Sequence, residues 1–497
     1  MSYAAAIDQL SAMTPELFTQ PGHTRRKFSL NEIGILLAAL GNPHHRFPSV
    51  LIAGTNGKGS TAATLASILT ASGLRAGLFT SPHLTRPNER IRVNGAEISD
   101  AAFAALYFRV HDCAQQLVLD QKLAQLPSFF ETLTAMAFLH FDDANIDIAV
   151  LEVGMGGRLD ATNIVDPLLS IITDISLDHT EWLGPTIAAI AREKAGILRA
   201  GGTLISLPQH PDANEVLGEI ATELGVRAVS AVRYMPPEHP ASRAARTVAE
   251  AAPPISYSVP VLGTSVEVAS PLHGAHQQRN ISLAIAAAVE LAFHHGVPIT
   301  PASVTAGIRN TRWPGRLEVI HIPSQGSAAP QVPQWVLDVA HNPAGAWALR
   351  AALRSLLDLD GPDAQPPTLI FSCLRDKPIA EMGQILFPIF DRVIFAPIHS
   401  PRATPMADLL AAAASTGTPA TAASSVAEAI ELAESSASTS TNPARAASTP
   451  PNLPDTSNGR EARSAPRAVA PRVVVAGSVY LVGEVRALLL ARAGVPA

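Results

Sequence analysis

A glycine-rich turn with a single lysine lies near the start of the chain, where GTNGKGST spans Gly54–Thr61. It follows the apolar run SVLIA and precedes AATLASILTAS, whose spacing of apolar residues is typical of a helix. Backbone N–H groups of such a turn, at the start of a helix, bind phosphate oxygens, and a lysine adds positive charge. The order of strand, loop and helix therefore predicts a phosphate-binding loop with Lys58 as its cation.

The loop differs from the common nucleotide-binding pattern GxxxxGK[ST] at two positions. Ile52 stands where the first glycine belongs, and Gly59 separates Lys58 from Ser60. A plain glycine turn without a ligand is the alternative interpretation. We expect a run of consecutive residues to contact the phosphates of a nucleotide, namely Gly54, Thr55, Asn56, Gly57, Lys58, Gly59 and Ser60.

Short apolar or β-branched runs alternate with longer helix-like segments in two regions of the chain. The first region contains VLIAG, AGLFTS, IDIAVLEVG and LSIITDIS, and the second contains QWVLDVAHNP, PTLIFSCLRDKP, DRVIFAPI and RVVVAGSVYLVGE. This alternation is typical of a parallel sheet covered by helices. It predicts an α/β protein with a P-loop ATPase-type parallel-sheet domain followed by a smaller, Rossmann-like α/β domain.

The predicted domain boundary follows the helix-like segment HGAHQQRNISLAIAAAVELAFHHG, which we expect to end at Gly296. The two domains are then residues 1–297 and 298–497. Two stretches rich in Ala, Ser, Thr and Pro, at 232–254 and at about 434–471, contain few large apolar residues. Such composition does not offset the entropy of ordering, so both are predicted to be insertions, and the second a disordered surface loop.

Composition excludes several classes of protein. Of the 497 residues 47% are hydrophobic and 16% charged, which predicts a globular chain, and the net charge of −6 gives no basic excess for nucleic acid or an anionic membrane. Cys113 and Cys373 lack the spacing of a metal or redox pair and fit a reducing compartment. The sequence shows neither a signal-peptide pattern nor an apolar stretch long enough to span a bilayer. We therefore expect a cytoplasmic protein.

Further motifs follow the phosphate loop along the chain. In order they are FTSPHLTRPNERIRVNG, LEVGMGGRLDATN, SLDHTEWLG, REKAGI, HGAHQQRN, WPGRLEVI, LDVAHNPAGA, DKP and GSVYLVGE. Together with GTNGKGST they resemble the folylpolyglutamate synthase and dihydrofolate synthase family of the Mur-ligase superfamily. The resemblance implies an ATP-dependent, monomeric ligase that activates a pterin or folate carboxylate as an acyl phosphate. The amine of L-glutamate then attacks this intermediate to form an amide.

The resemblance also implies two Mg²⁺ ions. Glu152 ends the apolar run IDIAVLE, which puts its carboxylate at the carboxyl edge of a predicted central strand, where ligands of such sheets bind. An ion pair between Glu152 and Arg158 is the alternative interpretation. By resemblance Glu152 is a magnesium ligand, and the hydroxyl group of Thr80 or Ser81 in FTSPH completes one site together with water.

His179 and Lys194 belong to the second implied metal site. For His179, in SLDHTEWLG, the alternative is a purely structural histidine. Lys194, in REKAGI, matches a superfamily lysine that reacts with CO₂ to give a carbamate, which turns a cation into an anionic ligand. The alternative is a surface lysine paired with Glu193, which would contribute little to stability. Lys58, His179 and Lys194 are the predicted catalytic residues.

The resemblance places Asn280, Arg316 and Asp338 around the ATP molecule. Arg316 suits phosphate recognition because its charge is fixed and its donors are planar. For Asp338 the alternative is a helix cap or an acid that stabilises a turn. His341, in the same turn, is a candidate contact for the nucleotide or the incoming amino acid, with a turn-stabilising role as the alternative.

For the pterin, Ser128 and Phe129 in LPSFFETL match the pteroate-binding stretch of the family. An aromatic face suits a flat pterin ring. Core packing of Phe129 and its neighbour Phe130 is the alternative interpretation.

Two other functions fit parts of the pattern. A Mur-type ligase that extends a peptidoglycan precursor would share the loop and the metal residues, although several such ligases carry a separate domain before the loop. A nucleotide-operated binding protein would use the loop but has no need of Lys194 or a second metal ligand. ATP hydrolysis that does not depend on glutamate would favour the binding protein.

Overall fold

The structure is a computed structural model, and it describes residues 2–13, 29–237, 255–322, 333–357, 359, 366–439 and 472–494. These residues form two compact units that divide between Pro314 and Gly315. Both units contain a sheet covered by helices, as the alternation of apolar runs and helix-like segments predicts. The mixed α/β class is therefore confirmed.

Strands of the first unit form a sheet and a separate hairpin. Within the described residues the sheet has eight strands in the order β4-β3-β2-β5-β1-β6-β7-β8, and β9 pairs with β10 in an antiparallel hairpin. The six strands β2, β5, β1, β6, β7 and β8 are parallel to one another, whereas the β2–β3 and β3–β4 pairs are antiparallel. The strands are β1 (Ser49–Ala53), β2 (Ala76–Phe79), β3 (Ile91–Val93), β4 (Ala96–Glu97), β5 (Ile148–Glu152), β6 (Leu169–Ile172), β7 (Thr203–Ser206), β8 (Arg227–Ser230), β9 (Ile255–Val261) and β10 (Thr264–Ser270).

Helices cover both faces of this sheet. They are α1 (Tyr3–Ala12), α2 (Leu30–Ala39), α3 (Lys58–Ala71), α4 (Asp100–Leu119), α5 (Phe129–Asp143), α6 (Thr180–Leu183), α7 (Ile187–Ala195), α8 (Pro211–Glu223), α9 (Ala275–His295) and α10 (Pro301–Asn310). Short 3₁₀ helices lie at Pro43–His45, Pro87–Arg90, Ala161–Ile164 and Ala231–Tyr234.

Strand β1 shows why the predicted central strands are apolar along their whole length. Val50 and Ile52 belong to one buried cluster, and Leu51 and Ala53 belong to a second. Successive side chains of a strand point to opposite faces of a sheet, so both faces of β1 lie in a core. The carboxyl ends of such central strands are the positions where α/β proteins bind ligands.

The observed boundary lies farther along the chain than the predicted one after residue 297. Helix α9 does end where predicted, with Gly296 in the left-handed conformation at φ +65°. The next helix, α10, still packs on the first unit, since a Cβ atom at Gly307 would meet the Ile68 backbone of α3 at 2.4 Å. Helix α10 therefore belongs to the first unit, and the second unit begins after this helix.

The second unit contains its own sheet of largely parallel strands. Its described part has six strands in the order β11-β12-β16-β13-β14-β15, with only the β11–β12 pair antiparallel. The strands are β11 (Glu318–His321), β12 (Gln334–Leu337), β13 (Thr368–Phe371), β14 (Arg392–Phe395), β15 (Ala420–Ala422) and β16 (Arg472–Ala476). The helices are α11 (Pro343–Leu356), α12 (Ile379–Leu386), α13 (Met406–Thr416), α14 (Val426–Thr439) and α15 (Val479–Arg492), with a 3₁₀ turn at Phe387–Ile389.

Two details differ from the sequence interpretation of this unit. The strand-like segment RVVVAGSVYLVGE is a strand only as far as Ala476, and its second half begins α15. Ser478 caps that helix by accepting a hydrogen bond from the Tyr480 N–H group, which explains the change from strand to helix. The predicted insertion at about 434–471 starts inside α14, and its residues 440–471 lie outside the described residues.

The predicted insertion at 232–254 also begins within ordered structure. Its first residues complete the 3₁₀ helix Ala231–Tyr234, where the Tyr234 side chain is fully buried. Residues 238–254 lie outside the described residues. In the part of the chain that the structure describes, no helix is long and apolar enough to cross a membrane.

Candidate active site

Four neighbouring strands bring most of the predicted first-unit residues to one edge of the sheet. Thr80 and Ser81 follow β2, Glu152 ends β5, the phosphate loop follows β1, and His179 lies in the segment after β6. Because β2, β5, β1 and β6 are adjacent and parallel, their carboxyl ends lie side by side. Residues from four separate segments therefore lie together at the carboxyl edge of the sheet, where ligands of such sheets bind.

The phosphate loop is held by the segment that follows β6. The N–H groups of Thr55 and Asn56 both donate to the Asp174 carbonyl oxygen, at 2.8 and 3.2 Å. The Thr55 hydroxyl oxygen accepts a hydrogen bond from the Ser176 N–H and donates to the Ser176 carbonyl, both at 3.1 Å. These bonds fix the first half of the loop, and α3 begins directly afterwards at Lys58.

Two glycines in the loop leave no room for a side chain. A Cβ atom at Gly54 would lie 1.8 Å from Thr173 Oγ1, and one at Gly57 would lie 2.2 Å from Asn280 Oδ1. Gly57 also has φ +90°, a conformation that side chains disfavour. Asn280, a predicted nucleotide residue at the start of α9, therefore lies directly against the phosphate loop, and its Nδ2 group donates to Gln277 at 2.9 Å.

We expect Gly57→Ala to weaken ATP binding because the new methyl group would displace Asn280 or the loop. Gly73→Ala is a matched control, since Gly73 has φ +84° but nothing within 4 Å of its Cβ position. Both variants should lose about 1–2 kcal/mol of unfolding free energy to the left-handed backbone. Denaturant unfolding and ATP titration would test this, and equal ATP affinities for the two variants would contradict it.

Two lysines converge on one backbone carbonyl group of the phosphate loop. Lys58 Nζ donates to the Gly54 oxygen at 3.1 Å and to the Thr55 oxygen at 3.1 Å, and Lys194 Nζ donates to the Gly54 oxygen at 2.6 Å. Lys194 reaches this position from α7, which packs beside the loop that follows β5. The two positive charges lie close enough to act on the same phosphate-binding region.

Lys194 is a buried residue, and the alternative of a surface lysine is wrong. Its side chain is only 4% exposed, whereas Glu193 pairs with Arg158 at 2.9 Å instead. Burial, and after it the charge of Lys58, lowers the pKa of the Lys194 ammonium from 10.5 to about 7, against the opposing effect of two acidic residues, Asp178 and Asp160. An amine with such a pKa is partly neutral near pH 7.

Glu152 also occupies a buried position at this edge. It is 4% exposed, and its Oε2 atom accepts a hydrogen bond from the Ser81 N–H group at 3.0 Å. Thr80, the residue before Ser81, is 2% exposed. Because Arg158 pairs with Glu193, the structure does not support the alternative ion pair between Glu152 and Arg158.

His179 precedes the short helix α6 with an uncommon backbone conformation. Its φ of +50° lies in the left-handed region, which non-glycine residues rarely adopt and which is enriched at functional sites. Its N–H group donates to Asp178 Oδ1 at 2.9 Å, and its Nε2 atom lies 4.0 Å from Asp178 Oδ2. Asp178 therefore bonds the His179 backbone, and its carboxylate lies near the ring.

The donor set of this edge fits magnesium better than a softer metal. Among the residues that the structure covers, no three His, Cys, Asp or Glu side chains form a metal-binding group. Magnesium usually takes one or two protein carboxylates and completes its shell with water and substrate phosphate oxygens. One buried carboxylate, Glu152, next to the hydroxyl-bearing residues Thr80 and Ser81 and the phosphate loop, satisfies this requirement.

We expect Glu152→Gln and His179→Ala each to raise the half-saturating Mg²⁺ concentration for ATP turnover by about tenfold or more. The glutamine retains an oxygen that can accept the Ser81 hydrogen bond and removes only the charge. Glu219→Gln is a control, because Glu219 is an exposed acid paired with Arg192. Unchanged magnesium titration curves for both site variants would exclude them from the metal site.

A cavity of about 140 Å³ lies beside this edge in the first unit. Its walls include Ser29, Ser128, Phe130, Met155, Trp182 and Leu183. Helix α5 begins here, with Ser128 as its cap, and the Ser128 hydroxyl and Glu131 carboxylate accept each other's backbone N–H groups. The predicted pterin stretch therefore does border a cavity with aromatic walls.

Phe130 is among the residues that line this cavity, and Phe129 is not. The Arg90 guanidinium group lies over the Phe129 ring, with Arg90 Cζ 5.1 Å from the centre of the ring. Consecutive residues on a helix point in different directions, so only one phenylalanine of the pair can face the cavity. Phe130 is therefore the phenylalanine of the pair that lines the cavity, and the predicted pterin contact of Phe129 stays a prediction.

In the second unit, Asp338 is bound to backbone N–H groups. Its Oδ2 accepts from Leu317 at 2.9 Å and its Oδ1 accepts from Ala340 at 2.8 Å, so the alternative of a turn-stabilising acid describes its bonds well. Arg316, next to Leu317, donates to the Gly315 carbonyl oxygen at 3.2 Å. Asp338 thereby fixes the backbone next to Arg316.

His341 lies between β12 and α11 in the same unit. Its Nδ1 atom donates to the Val339 carbonyl oxygen at 2.8 Å, and Asn342 caps α11 by accepting from Gly345 N–H at the same distance. The predicted ATP contacts of Arg316, Asp338 and His341 stay predictions.

Some residues that hold the site were not singled out from the sequence. Asp174 and Ser176 follow the run LSIIT, so the same strand-end rule that selected Glu152 would also have found them. Asp178 and Arg279 each precede a predicted residue in the chain. Arg279 also lies in the motif HGAHQQRN, but its role depends on a contact with a distant segment, which the sequence does not show.

Two models of known domains match the chain. The Mur ligase middle domain matches residues 52–288, and the glutamate ligase domain of Mur ligases matches residues 315–441. With the parallel sheet and the phosphate loop that precedes α3, these matches define the class of protein as Mur-type ligases.

Relatives narrow this class. A folylpolyglutamate synthase of Lacticaseibacillus casei is 34% identical over 75% of this chain and 82% of its own length. A dihydrofolate synthase/folylpolyglutamate synthase of Mycobacterium tuberculosis is 38% identical over 78% of each chain. The solved folylpolyglutamate synthase of that organism, complexed with ADP and AMPPCP, has a TM-score of 0.78 at 32% identity and covers 98% of this chain and 99% of its own. The chain belongs to the folylpolyglutamate synthase and dihydrofolate synthase family.

Proposed function

We propose that this protein is an ATP- and Mg²⁺-dependent ligase that joins L-glutamate to dihydropteroate, to the γ-carboxylate of folate glutamates, or to both. One observation carries the proposal: the Lys58 and Lys194 ammonium groups converge on the Gly54 carbonyl group at the end of the central strand. This arrangement puts the Lys58 cation and the backbone N–H groups of the loop where a nucleotide phosphate would bind, and it brings the Lys194 amine, the proposed site of carbamylation, to the same place. The family relatives support the same activity.

The reaction forms one bond in each of two steps. A substrate carboxylate oxygen attacks the γ-phosphorus of ATP, the bond to the β-phosphate oxygen breaks, and ADP leaves. The glutamate nitrogen then attacks the acyl carbon, the bond to the phosphate oxygen breaks, and the nitrogen loses a proton. In the first step Lys58 binds the phosphate oxygens and stabilises their charge.

Residues of the sheet edge would hold the metal ions. Glu152 with Thr80 or Ser81 would bind one, and His179 with a carbamylated Lys194 would bind the second. When bound, magnesium offsets negative charge on the phosphate oxygens. The lowered pKa of Lys194 supports carbamylation, because only a neutral amine attacks CO₂ and a proton is released as the C–N bond forms.

The cavity lined by Ser128 and Phe130 supports the pterin site. Its aromatic and apolar walls suit a flat ring. Glu131 and Asp160 also lie in its wall, where their carboxylates already accept hydrogen bonds from backbone N–H groups. In the second unit, Arg316 and Asp338 would contact the nucleotide, and His341 the nucleotide or the glutamate. A monomeric state and a cytoplasmic location are further parts of the proposal, based on family resemblance and composition.

The test uses pure protein with ATP, Mg²⁺ and L-glutamate, supplied in turn with dihydropteroate and tetrahydrofolate. We expect the product mass to increase by one glutamate residue for at least one pterin, with one ADP formed for each amide. ATP hydrolysis that is independent of glutamate would favour a nucleotide-operated binding protein. Ligation only to a nucleotide-linked cell-wall peptide would favour a Mur-type peptidoglycan ligase.

A further inference from the structure

The loop after β6 is held by a two-pronged ion pair from helix α9. Arg279 Nε donates to both carboxylate oxygens of Asp174, at 3.1 and 2.9 Å, and Arg279 Nη2 donates to Asp174 Oδ1 at 2.6 Å. The same Nη2 atom donates to the Pro208 carbonyl oxygen at 2.9 Å, in the loop after β7. This forked contact fixes the direction of the Asp174 residue as well as its distance.

Asp174 connects this ion pair directly to the phosphate loop. Its side chain binds Arg279, and its backbone carbonyl oxygen accepts the N–H groups of Thr55 and Asn56. Asn280, the next residue after Arg279, lies against Gly57 in the same loop. Of these two adjacent residues of α9, Asn280 therefore contacts the loop directly at Gly57, and Arg279 supports Thr55 and Asn56 through Asp174.

We propose that Arg279 is a positioning residue for the nucleotide phosphates and acts through Asp174. Arg279 holds Asp174 in place, and the Asp174 carbonyl group in turn keeps the backbone of Thr55 and Asn56 in one conformation. Arg279 also fixes the start of the segment that connects Asp174 to His179. The proposal rests on the proposed ATP-dependent function, but its direct readout is nucleotide affinity.

Exposure of the pair argues for positioning rather than for overall stability. The Arg279 side chain is 29% exposed and that of Asp174 is 40% exposed, so solvent screens much of their attraction. Such a pair adds little to the unfolding free energy. Its geometry nevertheless matters, because a small shift of Asp174 moves two N–H groups of the phosphate loop.

The chain offers a matched control on the same helix. Glu290 of α9 pairs with Arg227 of β8, near the other end of the helix and away from the phosphate loop. Arg227→Met removes an ion pair from the same helix that is also partly exposed, with side chains 46% and 12% exposed. Arg279→Met and Asp174→Asn remove the two partners of the proposed pair, and Arg279→Lys keeps the charge but not the fork.

The experiment measures the dissociation constant of ATP by calorimetry, together with melting temperature, KM for ATP and kcat. We expect Arg279→Met to raise the ATP dissociation constant about tenfold, Arg279→Lys to restore part of the affinity, and Arg227→Met to change nothing. The double variant with Asp174→Asn should bind ATP about as well as Arg279→Met alone, because coupled residues are not additive. The rise should appear in KM for ATP more than in kcat.

Wild-type affinity in a folded Arg279→Met variant would overturn the inference, and so would additive effects of the two substitutions. Should Arg279→Met fail to fold, Asp174→Asn gives the same test through the other partner. ATP binding is measured without glutamate or pterin. A wild-type protein that binds ATP but does not ligate glutamate would therefore refute the proposed function without deciding the role of Arg279.

Discussion

Replacing Lys58 by alanine is expected to lower kcat for glutamate ligation by about 10²- to 10³-fold, the loss typical when one charge-stabilising donor is removed. Lys58 Nζ lies at the mouth of the phosphate loop, 3.1 Å from the carbonyl oxygens of Gly54 and Thr55. The fold should survive, because the side chain is only partly buried and lies at the first residue of α3. Product mass and ADP release measure the effect.

Lys122→Ala is the control for this prediction. Lys122 is an exposed lysine whose partner, Asp120, is two residues away. Its removal should leave both activity and melting temperature unchanged. Because Lys58 also helps to lower the pKa of Lys194, the Lys58→Ala variant should shift the titration of that amine to higher pH. Wild-type turnover in Lys58→Ala would exclude Lys58 as the phosphate lysine.

The edge of the first sheet was predictable because it follows from local patterns. Apolar runs mark the central strands, and a polar residue directly after such a run must lie at the carboxyl edge. That reasoning located Glu152 and the phosphate loop without knowledge of any contact. The end of α9 at Gly296 was predictable for a similar reason, since a glycine there permits the left-handed conformation that ends a helix.

Contacts between distant segments were not predictable in the same way. The sequence suggested that Lys58 is the one cation at the phosphate loop, but Lys194, 140 residues from Gly54, donates to the same carbonyl group. Asp174 binds the loop through its backbone oxygen. Any residue type has this oxygen, so the residue type at this position does not reveal the contact. Which of Phe129 and Phe130 lines the cavity depends on the rotation of α5 about its axis, which sequence matching does not resolve.

Lys194→Ala is expected to lose ligase activity by about 10- to 100-fold or more, and added acetate should restore part of it. The side chain is buried next to Lys58, and both ammonium groups donate to the Gly54 oxygen. Because the two nitrogens bond the same oxygen, at 3.1 and 2.6 Å, they lie less than about 6 Å apart. Two unit charges within this range repel by about 3 kcal/mol or more at an effective dielectric constant near 20. A carbamate on Lys194 changes the sign of this interaction, and acetate supplies a similar carboxylate in the alanine variant.

The pH dependence of this residue has a defined sign. The pKa of Lys194 is about 7 in the folded protein and 10.5 when unperturbed, a difference that corresponds to about 5 kcal/mol against the buried ammonium. Between these two values the unfolded chain binds more protons, so the contribution of Lys194 to the unfolding free energy rises with pH in this window. Below pH 7 its buried charge destabilises the fold most, and the amine is least able to react with CO₂.

Carbamylation can be measured apart from activity. In bicarbonate buffer above pH 7, the wild-type protein should carry the mass of one CO₂ on the peptide that contains Lys194, and acid should remove it. Lys122→Ala should retain this modification and should not respond to acetate, which separates a site effect from a general effect of the anion. A fully active Lys194→Ala variant without acetate would contradict the prediction. The second metal would then depend on His179, phosphate oxygens and water, and the buried lysine would serve only to hold the Gly54 carbonyl group.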